Sequence, residues 1–555
     1  MVVIGIDLGT SNSVMAYVKD GIPTIIPNAE GKLLTPSIVG FDKANHIYVG
    51  EAANVLGLHK TISAFKRKMG TNEVYSVHGH EYTPTMLSSF ILRKLKNDAE
   101  KFLGEVINEA VITVPAFFTD IARQETRNAA EIAGLKTLRI INEPTAATLA
   151  FGFEKKEGEF VMVCDLGGGT FDVSILEFAN DIYEVRSTNG NIQLGGNDWT
   201  AALYNKKIFG KLLKTPDLGN SILFKQLELA KIKLTTKKSV TVAKKITISR
   251  VKFETVTRHL CDQMILCIQQ SLKDAEIQPK ALDKIILVGG ATRMPMIRKL
   301  IVDLTEKQPF VDIDPDLVVA KGASIQGGIL NKSLKHTLLV DVIPLSLGIE
   351  TQGGILTKLI PRNSKIPISK NQIFTTAFDN QTEVDIHILQ GERGQVKHNI
   401  SLGKFTLTEI PAAPKGFAKI DVTFSIDING ILHVKAKDIY SENEQTIVVQ
   451  SNRLSDSDIA KLIQEAKQLY NVDQNDQEKI NSQIKLSNII SAVEQTLKKR
   501  KIRNNDDTYL KLTSLLKKAK KMIHANKITT EDLKTISKKI QQLMAYGSYN
   551  VKSSG

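Results

Sequence analysis

Two segments of this chain carry the same short pattern, and that pattern restricts the possible fold more than any other feature. Gly5 to Thr10 and Cys164 to Thr170 each end an apolar strand with an aspartate, continue into glycine and finish on threonine. The residues that follow are β-like in both cases, so each pattern predicts two strands joined by a glycine turn. Glycine lets backbone N–H groups approach an oxyanion closely, and threonine adds a hydroxyl. Each turn is therefore a candidate phosphate-binding loop.

A lone turn of this kind is usually an ordinary glycine turn, but a repeated one favours binding. Two such turns from two related halves, facing across a cleft, would hold one phosphate chain from both sides. Asp7 and Asp165 would then supply the acidic oxygens that a magnesium ion and its waters need. A third glycine turn, Val288 to Met294, ends a strand and precedes a helix at Pro295, a placement suited to an anion or a sugar. The chain has neither the P-loop motif nor the dinucleotide-binding glycine motif.

The order of patterns along the 555 residues predicts three architectures in series. Alternating strand-like and helix-like runs indicate an α/β body, and one of its helices is expected between Pro84 and Gly104. Alternating strands, with a hairpin turn at Asn429-Gly430, indicate an all-β domain, and proline-free helical periodicity indicates an all-α domain. A domain linker is normally polar, so an apolar one predicts docking against a neighbouring domain. The predicted segments are an α/β body (1–336), an apolar linker (337–342), a β-sandwich (343–453), a helical segment (454–545) and a flexible tail (546–555).

Composition and charge argue against several other classes of protein. The chain is 42% apolar and 24% charged, as globular proteins are, and no apolar run approaches the roughly 18 residues that cross a bilayer. Three irregularly spaced cysteines fit a reducing compartment better than a disulfide framework. More than half of the net charge of +14 lies from Leu454 onward. Aromatic side chains are scarce there, which favours a solvated helical face over nucleic-acid binding. With no export signal at the amino terminus, we expect a cytoplasmic protein without nucleic-acid or membrane partners.

Several motifs, taken together, resemble one family. They are Ile4–Thr10, Val114–Phe118, Ile141–Ala147, Asp165–Asp172, Val288–Arg293, Asp341–Gly348 and Gln390–Arg393. In these motifs, the chain is similar to the DnaK-type, seventy-kilodalton heat-shock chaperones. The resemblance implies an actin-like ATPase domain, a β-sandwich that binds peptide and an α-helical lid. It also implies ATP or ADP, Mg²⁺ and K⁺ as ligands, with client polypeptides and a J-domain co-chaperone as partners.

The resemblance further implies which residues act on the nucleotide. The carboxylates of the site are expected to hold the magnesium waters and orient the attacking water. The lysine is expected to lie against the γ-phosphate, and the threonines are expected to bind phosphate oxygens. The residues implied in catalysis are Asp7, Lys66, Glu143, Asp165 and Thr170. The residues implied in nucleotide binding are Gly9, Thr10, Ser11, Asn12, Gly167, Gly168, Gly169, Glu228, Lys231, Thr235, Gly289, Gly290, Arg293 and Asp316.

Two more sets of residues follow from the resemblance, for coupling and for peptide binding. In the family, ATP docks the apolar linker on the ATPase body, so ATP and peptide each alter the affinity for the other. The residues implied in coupling are Arg123, Pro144, Leu338, Leu339, Val340 and Asp341. The residues implied in lining a peptide channel are Ile349, Gln352, Ile355, Phe374, Ala377, Val384 and Ile386. About half of the latter would instead be core residues, because alternate residues of any strand face inward.

Three departures from the general pattern point to a specialised branch. Ile232 stands where many members place an adenine-stacking arginine, the segment between Gly195 and Glu254 is short, and Ile410–Pro414 has a distinctive sequence. These features resemble the HscA branch, chaperones dedicated to iron-sulfur scaffold proteins, and imply a scaffold protein as client with no required exchange factor. A general folding chaperone is the alternative. A metabolite kinase or filament-forming protein with the same ATPase fold is less favoured, because it leaves residues 343–555 without a task.

Overall fold

The computed structural model of this chain describes most of the first 448 residues and part of the remainder. The described residues are 2–41, 47–51, 53, 60–151, 158–179, 182–204, 222–242, 246–310, 314–334, 338–448, 486, 489–490, 493, 507–523 and 529–549. They belong to two compact units. The first draws on Met1–Leu347, Lys358–Gln390 and Ile400–Lys461, and the second draws on Gly348–Thr357, Gly391–Asn399 and Leu462–Gly555.

Two large sheets form the α/β body of the first unit. Its described strands are β1 (Val3–Asp7), β2 (Asn12–Lys19), β3 (Ile22–Ile26), β4 (Thr35–Pro36), β5 (Ile38–Phe41), β6 (Ile47–Val49), β7 (Lys60–Ser63), β8 (Tyr75–Val77), β9 (His80–Tyr82), β10 (Glu109–Val114), β11 (Lys136–Asn142), β12 (Glu159–Leu166), β13 (Phe171–Ala179), β14 (Ile182–Asn191), β15 (Ser239–Val242), β16 (Ile246–Ser249) and β17 (Lys284–Val288). The first sheet has the order β11-β10-β1-β2-β3, and the second begins β17-β12-β13-β14.

The two sheets repeat one arrangement around the two glycine turns. β1 pairs antiparallel with β2 across the first turn and parallel with β10 on its other side. β12 pairs antiparallel with β13 across the second turn and parallel with β17. The repeated Asp-Gly-Thr pattern of the sequence thus corresponds to a repeated piece of sheet.

Helices pack against these sheets. The described helices of the body are α1 (Pro84–Leu103), α2 (Asp120–Ile132), α3 (Glu143–Phe151), α4 (Gly196–Leu203), α5 (Ile222–Leu234), α6 (Arg250–Asp274), α7 (Pro295–Thr305) and α8 (Val318–Leu330). The helix predicted between Pro84 and Gly104 is confirmed as α1. Thr83 caps it by accepting a hydrogen bond from the backbone N–H of Met86, and Gly104 ends it at φ 73°. None of the helices among the described residues is long and apolar enough to cross a membrane.

Separate apolar cores support the two sheets. The first core packs buried residues of β1, β2 and α1, such as Ile6 and Leu87, around Phe65. The second core packs β12 and β13 against α4 to α7 and contains Trp199, which is fully buried. A third cluster includes Val111, Ile141 and Val163, from strands of both sheets. The body therefore has two packed halves with shared packing between their sheets.

The predicted linker contains a strand that extends the second sheet. Strand β18 (Leu338–Val342) pairs parallel with β14, with Leu339 opposite Tyr183. Leu339 is buried in the third cluster, where a leucine side chain contributes roughly 2 kcal/mol. The far edge of β18 pairs antiparallel with β21 (Lys365–Ile366). This segment therefore joins the sheet of the body to a strand of the β segment.

Most of the following β segment belongs to the first unit. Its strands are β22 (Ile368–Phe374), β23 (Val384–Gln390), β24 (Ile400–Leu407), β25 (Ile420–Ile426), β26 (Leu432–Asp438) and β27 (Glu444–Val448), preceded by β19 (Leu347–Thr351) and β20 (Ile355–Ile360). One sheet has the order β22-β25-β26-β27, and β23 pairs antiparallel with β24. The alternation predicted for β25 is present, because its residues are buried and half-buried in turn. The turn at Asn429-Gly430 connects β25 to β26, as predicted.

The second unit contains helices α9 (Asp507–Ile523) and α10 (Thr530–Tyr549). Their buried residues, among them Leu516 and Ile536, cluster with Leu486 and Ile490. Residues 454–485 of the predicted helical segment lie outside the described residues. Helix α10 continues to Tyr549, four residues past the predicted end of the helical segment. The single Gly547 costs about 1 kcal/mol in a helix, which does not suffice to end one.

Candidate active site

The two glycine turns meet face to face in the α/β body. A methyl group added to Gly168 would overlap the hydroxyl of Ser11, and one added to Gly169 would lie 2.7 Å from Thr10 Oγ1. Glycine at these two positions leaves room for the side chains of Ser11 and Thr10 from the other turn. Thr10 and Thr170 are both buried at the meeting point. The structure thus brings together the two patterns that the sequence suggested as a pair.

A cavity of about 350 Å³ opens between these turns. This volume lies within the range of small-molecule sites. Of the residues predicted for catalysis and nucleotide binding, Gly169 does not line the cavity but lies against Thr10. The others line it: Asp7, Gly9, Thr10, Ser11, Asn12, Lys66, Glu143, Asp165, Gly167, Gly168, Thr170, Glu228, Lys231, Thr235, Gly289, Gly290, Arg293 and Asp316.

Three carboxylates and one lysine form the acidic end of the cavity. Lys66 Nζ lies 2.6 Å from Glu143 Oε1, and both side chains are buried. Loss of solvation, and then repulsion by Glu143, raises the pKa of Asp7 to about 7. The same two causes raise the pKa of Asp165 well above its ordinary value. One lysine therefore does not balance the negative charge collected here.

Asp172 belongs to this acidic cluster, although it was not among the predicted site residues. It lies directly opposite Asp165 in the β12–β13 register and accepts a hydrogen bond of 3.1 Å from the backbone N–H of Phe117. Burial, followed by repulsion from Glu143, raises its pKa to about 8. In a hairpin with this glycine turn, counting residues outward along both strands pairs position 165 with position 172. The sequence therefore already indicated that Asp172 lies beside Asp165.

The donor set fits a divalent cation held through water. Hard cations such as Mg²⁺ prefer carboxylate and water oxygens, and Mg²⁺ usually keeps several of its waters. A cation would also offset the repulsion that raises the pKa of Asp7 and Asp165. Within the described ranges, no three His, Cys, Asp or Glu side chains lie close enough to ligate an ion by themselves. The predicted mode, in which waters and phosphate oxygens complete the shell, does not require such a group.

Two further ion pairs line the cavity. Lys231 Nζ lies 2.8 Å from Glu228 Oε2 and donates a hydrogen bond of 2.7 Å to the carbonyl of Gly196. Arg293 Nη2 lies 2.9 Å from Asp316 Oδ2. The side chain of Ile232 also lines the cavity and is 53% exposed. By the resemblance noted in the sequence, these residues would lie beside a base and a ribose, and position 232 offers an aliphatic contact there instead of a planar cation.

The predicted coupling residues lie beside the acidic cluster. Asp341 Oδ2 accepts hydrogen bonds from Asn142 Nδ2 at 2.8 Å and from Thr145 Oγ1 at 3.2 Å. Arg123 is buried and donates to Asn142 Oδ1, and Pro144 is buried between Asn142 and Thr145 in the chain. Val340 pairs with β14 within strand β18, which begins at Leu338. The linker aspartate is thus bound by two residues that lie on either side of Glu143 in the sequence.

The β25–β26 turn also contacts the body, which the sequence did not reveal. Asn429 Oδ1 accepts a hydrogen bond from the backbone N–H of Ile140, and the N–H of Leu432 donates to Asp120 Oδ1 at 2.9 Å. A side chain on Gly430 would lie 3.5 Å from Arg123. Burial raises the pKa of Asp120 to about 7. Sequence patterns identified Asn429-Gly430 only as a hairpin turn, because they carry no information on what a turn touches.

The predicted peptide-binding residues are divided between the two units. In the first unit, Phe374 ends β22, Ala377 follows it with its N–H bonded to Gln381 Oε1 at 2.9 Å, and Val384 and Ile386 lie on β23. Ile386 is buried, whereas the other three are half-buried. The remaining positions belong to the second unit, where Ile349 and Ile355 are buried and Gln352 is exposed.

The fold and the cavity define a nucleotide-binding class: an actin-like body of two related halves, followed by sheet domains, with facing glycine turns over an acidic cluster. The family model described as Hsp70 protein matches residues 3–552 of this chain. The chain belongs to the Hsp70 family, and the family resemblance found in its sequence is confirmed. Members of this family are ATP-dependent chaperones that bind ATP or ADP with Mg²⁺ and hydrolyse ATP. They act on client polypeptides together with J-domain co-chaperones.

Proposed function

We propose that this chain hydrolyses ATP in the cavity between its glycine turns and uses the reaction to bind and release client peptides. The proposal is supported by the convergence of nearly all predicted catalytic and nucleotide-binding side chains on one cavity. Asp7, Glu143 and Asp165 would hold the water shell of Mg²⁺, which when bound neutralises phosphate charge. Potassium is a further candidate ion beside the same carboxylates.

The chain's own groups would do the remaining work by positioning and charge. Lys66 would move from Glu143 toward the γ-phosphate, and Glu143, released from the lysine, would orient the attacking water. Thr10 and Thr170 would donate hydrogen bonds to phosphate oxygens. Phosphoryl transfer to water needs orientation and charge stabilisation without a covalent intermediate, so this set is sufficient.

Coupling to peptide would run through strand β18. Its Asp341 is held by Asn142 and Thr145, on either side of the start of α3 that carries Glu143. A change at Glu143 would therefore alter the support of the linker. Ile349, Gln352, Ile355, Phe374, Ala377, Val384 and Ile386 remain the proposed peptide-binding residues.

The test of this function is steady-state ATP hydrolysis by the full chain, with and without short apolar peptides. We expect measurable basal turnover that apolar peptides accelerate and that sugars do not. Acceleration by a sugar or another small metabolite, with none by peptide, would instead indicate a metabolite kinase.

We further propose that the preferred client is an iron-sulfur scaffold protein. The observation that carries this is the shortened segment between Gly195 and Glu254, which in general-purpose relatives is longer and engages an exchange factor. Ile232 and Ile410–Pro414 support the same branch. The chain would then assist cluster assembly or transfer in the cytoplasm, with a J-domain partner and without an obligatory exchange factor.

Affinity capture distinguishes the two chaperone roles. The full chain is immobilised and offered a purified iron-sulfur scaffold protein, in parallel with an unfolded polypeptide of unrelated sequence. Retention of the scaffold protein, weakened by ATP and exceeding that of the unrelated chain, is expected. Equal retention of both would support a general folding chaperone.

A further inference from the structure

An ion pair joins the two halves of the ATPase body at the phosphate end of the cavity. Arg67 Nη2 lies 3.0 Å from Asp198 Oδ2, and Nη1 lies 3.4 Å from Oδ1, so the contact is bidentate. Arg67 belongs to the short turn that Phe65 anchors in the first core. Asp198 belongs to α4, whose Trp199 lies in the second core. The pair therefore connects two elements that are packed into different cores.

Both partners also support the second glycine turn. The start of α4 donates two backbone hydrogen bonds to that turn, from Gly196 to the carbonyl of Gly167 and from Asn197 to the carbonyl of Gly168, each 2.9 Å long. Asp198 Oδ2 accepts a 2.7 Å hydrogen bond from the N–H of Gly195 and so fixes the same helix start.

The aliphatic part of the Arg67 side chain packs against the same glycine turn from the other half of the body. A methyl group on Gly169 would lie 2.9 Å from its Cγ. Arg67 thus contacts the second glycine turn and also binds Asp198 of α4, the helix whose start is hydrogen-bonded to that turn. Moving the two halves apart would have to break this contact.

We expect weaker retention of the base in this chain, because position 232 carries no cation. Ile232 provides an aliphatic side chain that is 53% exposed, where a planar cation would stack on the base. A nucleotide bound here would be held mainly through its phosphates and therefore by the separation of the two glycine turns.

We propose that the Arg67–Asp198 pair is a clamp that sets how long the nucleotide stays bound. This inference rests on the proposed nucleotide function. A phosphate chain gripped by both turns leaves only when they separate, and separation breaks the pair. Bidentate charge-assisted hydrogen bonds are among the stronger polar contacts, and the side chains here are only 18% and 27% exposed. Arg67 and Asp198 are positioning residues in this role, since they act through the turn and the helix.

The clamp is tested by the release of a fluorescent ADP from the full chain, chased with excess ATP in a stopped-flow instrument with Mg²⁺ present. Arg67→Gln removes the charge, and Asp198→Asn removes the charge while leaving an acceptor for the N–H of Gly195. We expect each variant to release ADP about tenfold faster than the wild type. The double variant should be no faster than either single one, because all three lose the same contact.

Lys96→Gln is the matched control. It breaks the Lys96–Glu100 pair, whose side chains are 16% and 25% exposed but which lies within α1 and joins no separate cores. Its release rate should equal that of the wild type. Arg67→Lys, which keeps the charge without the fork, should fall between the wild type and Arg67→Gln.

Two further measurements, the thermal midpoint and the salt dependence of the release rate, distinguish a clamp from a merely structural contact. A structural role would lower the thermal midpoint of the nucleotide-free variants but leave the release rate of the folded fraction unchanged. The clamp changes the release rate, and the difference between wild type and Arg67→Gln should shrink at high salt. ADP release from folded Arg67→Gln and Asp198→Asn at the wild-type rate would overturn the clamp while leaving the proposed function intact. A wild-type chain that binds no nucleotide would instead remove the proposed function, and the clamp with it.

Discussion

Replacing Asp7 by asparagine should make the nucleotide-free chain more stable while abolishing its ATP hydrolysis. The carboxylate lies in the acidic cluster, where loss of solvation and repulsion by Glu143 raise its pKa to about 7 from an ordinary value of 3.8. At about 1.4 kcal/mol per unit, the difference sets an upper limit of about 4 kcal/mol on the cost of keeping this group ionised. Asp7 is only half-buried and faces the cavity, so water there screens part of the cost. We expect a gain of about 2 kcal/mol in unfolding free energy for Asp7→Asn at pH 8.

The pH dependence of this gain has a definite sign. Because the pKa of Asp7 is higher in the folded than in the unfolded chain, the folded chain binds more protons between pH 3.8 and about 7. The stability of the wild type therefore falls as pH rises through that window, and the full cost is present above it. The benefit of Asp7→Asn should be largest at pH 8 and less than half as large at pH 5. The raised pKa values of Asp165 and Asp172 act in the same direction and remain in the variant.

The chain provides its own probe for the measurement. Trp199 is its single tryptophan and is fully buried in the second core, so its fluorescence follows unfolding of the ATPase body. Urea unfolding is recorded at pH 8 and pH 5, with EDTA and without nucleotide, since a bound cation would offset the repulsion. Asp303→Asn, at an exposed position in α7, is the control and should change little. An Asp7→Asn variant that is less stable than the wild type at pH 8, or whose gain is the same at both pH values, would refute the reasoning.

Three other substitutions test separate parts of the proposal. Lys66→Met removes the cation of the acidic cluster and should reduce ATP turnover by roughly 10²- to 10³-fold in a single-turnover assay; a loss of less than tenfold would contradict a role at the γ-phosphate. Ile232→Arg introduces a stacking cation at the base end and should slow ADP release in a chase experiment; equal or faster release would contradict the looser grip expected here. Leu339→Asp places a carboxylate in the apolar cluster that holds β18 and should abolish peptide stimulation of ATP hydrolysis while basal turnover persists. Intact stimulation in that variant would rule out coupling through the linker.

The parts of the site that the sequence predicted are those fixed by local rules. A glycine turn between two strands determines its own register, so Asp7 and Asp165 could be placed at the ends of β1 and β12, each just before a turn. Family resemblance supplied the distant members, including Lys66 and Arg293. Asp172 was within reach of the same local rule, since the hairpin register sets it opposite Asp165. Its role became visible only when burial and the neighbouring charges were known.

The parts that the sequence did not predict depend on packing between distant segments. The hydrogen bond from Leu432 to Asp120 joins residues 312 positions apart, and no periodicity or turn rule reports such a contact. The same holds for Arg67 and Asp198, which are charged residues of ordinary appearance in the chain. The end of α10 lies four residues beyond the predicted one, because helix propensity falls gradually and gives no sharp stop.

In the proposed coupling, the junction between β11 and α3 would let one small movement serve both ligands. Glu143 pairs with Lys66 at 2.6 Å, and the preceding residue, Asn142, binds Asp341 of the linker strand. A phosphate that drew Lys66 away would leave Glu143 without its partner, and the start of α3 would then have to rearrange while Asn142 and Thr145 still hold Asp341. Leu339 of the linker strand is buried in the third cluster, so docking of the linker would favour one arrangement of the same residues. Since each ligand acts only through its preference for one arrangement, the factor by which ATP alters peptide affinity must equal the factor by which peptide alters ATP affinity.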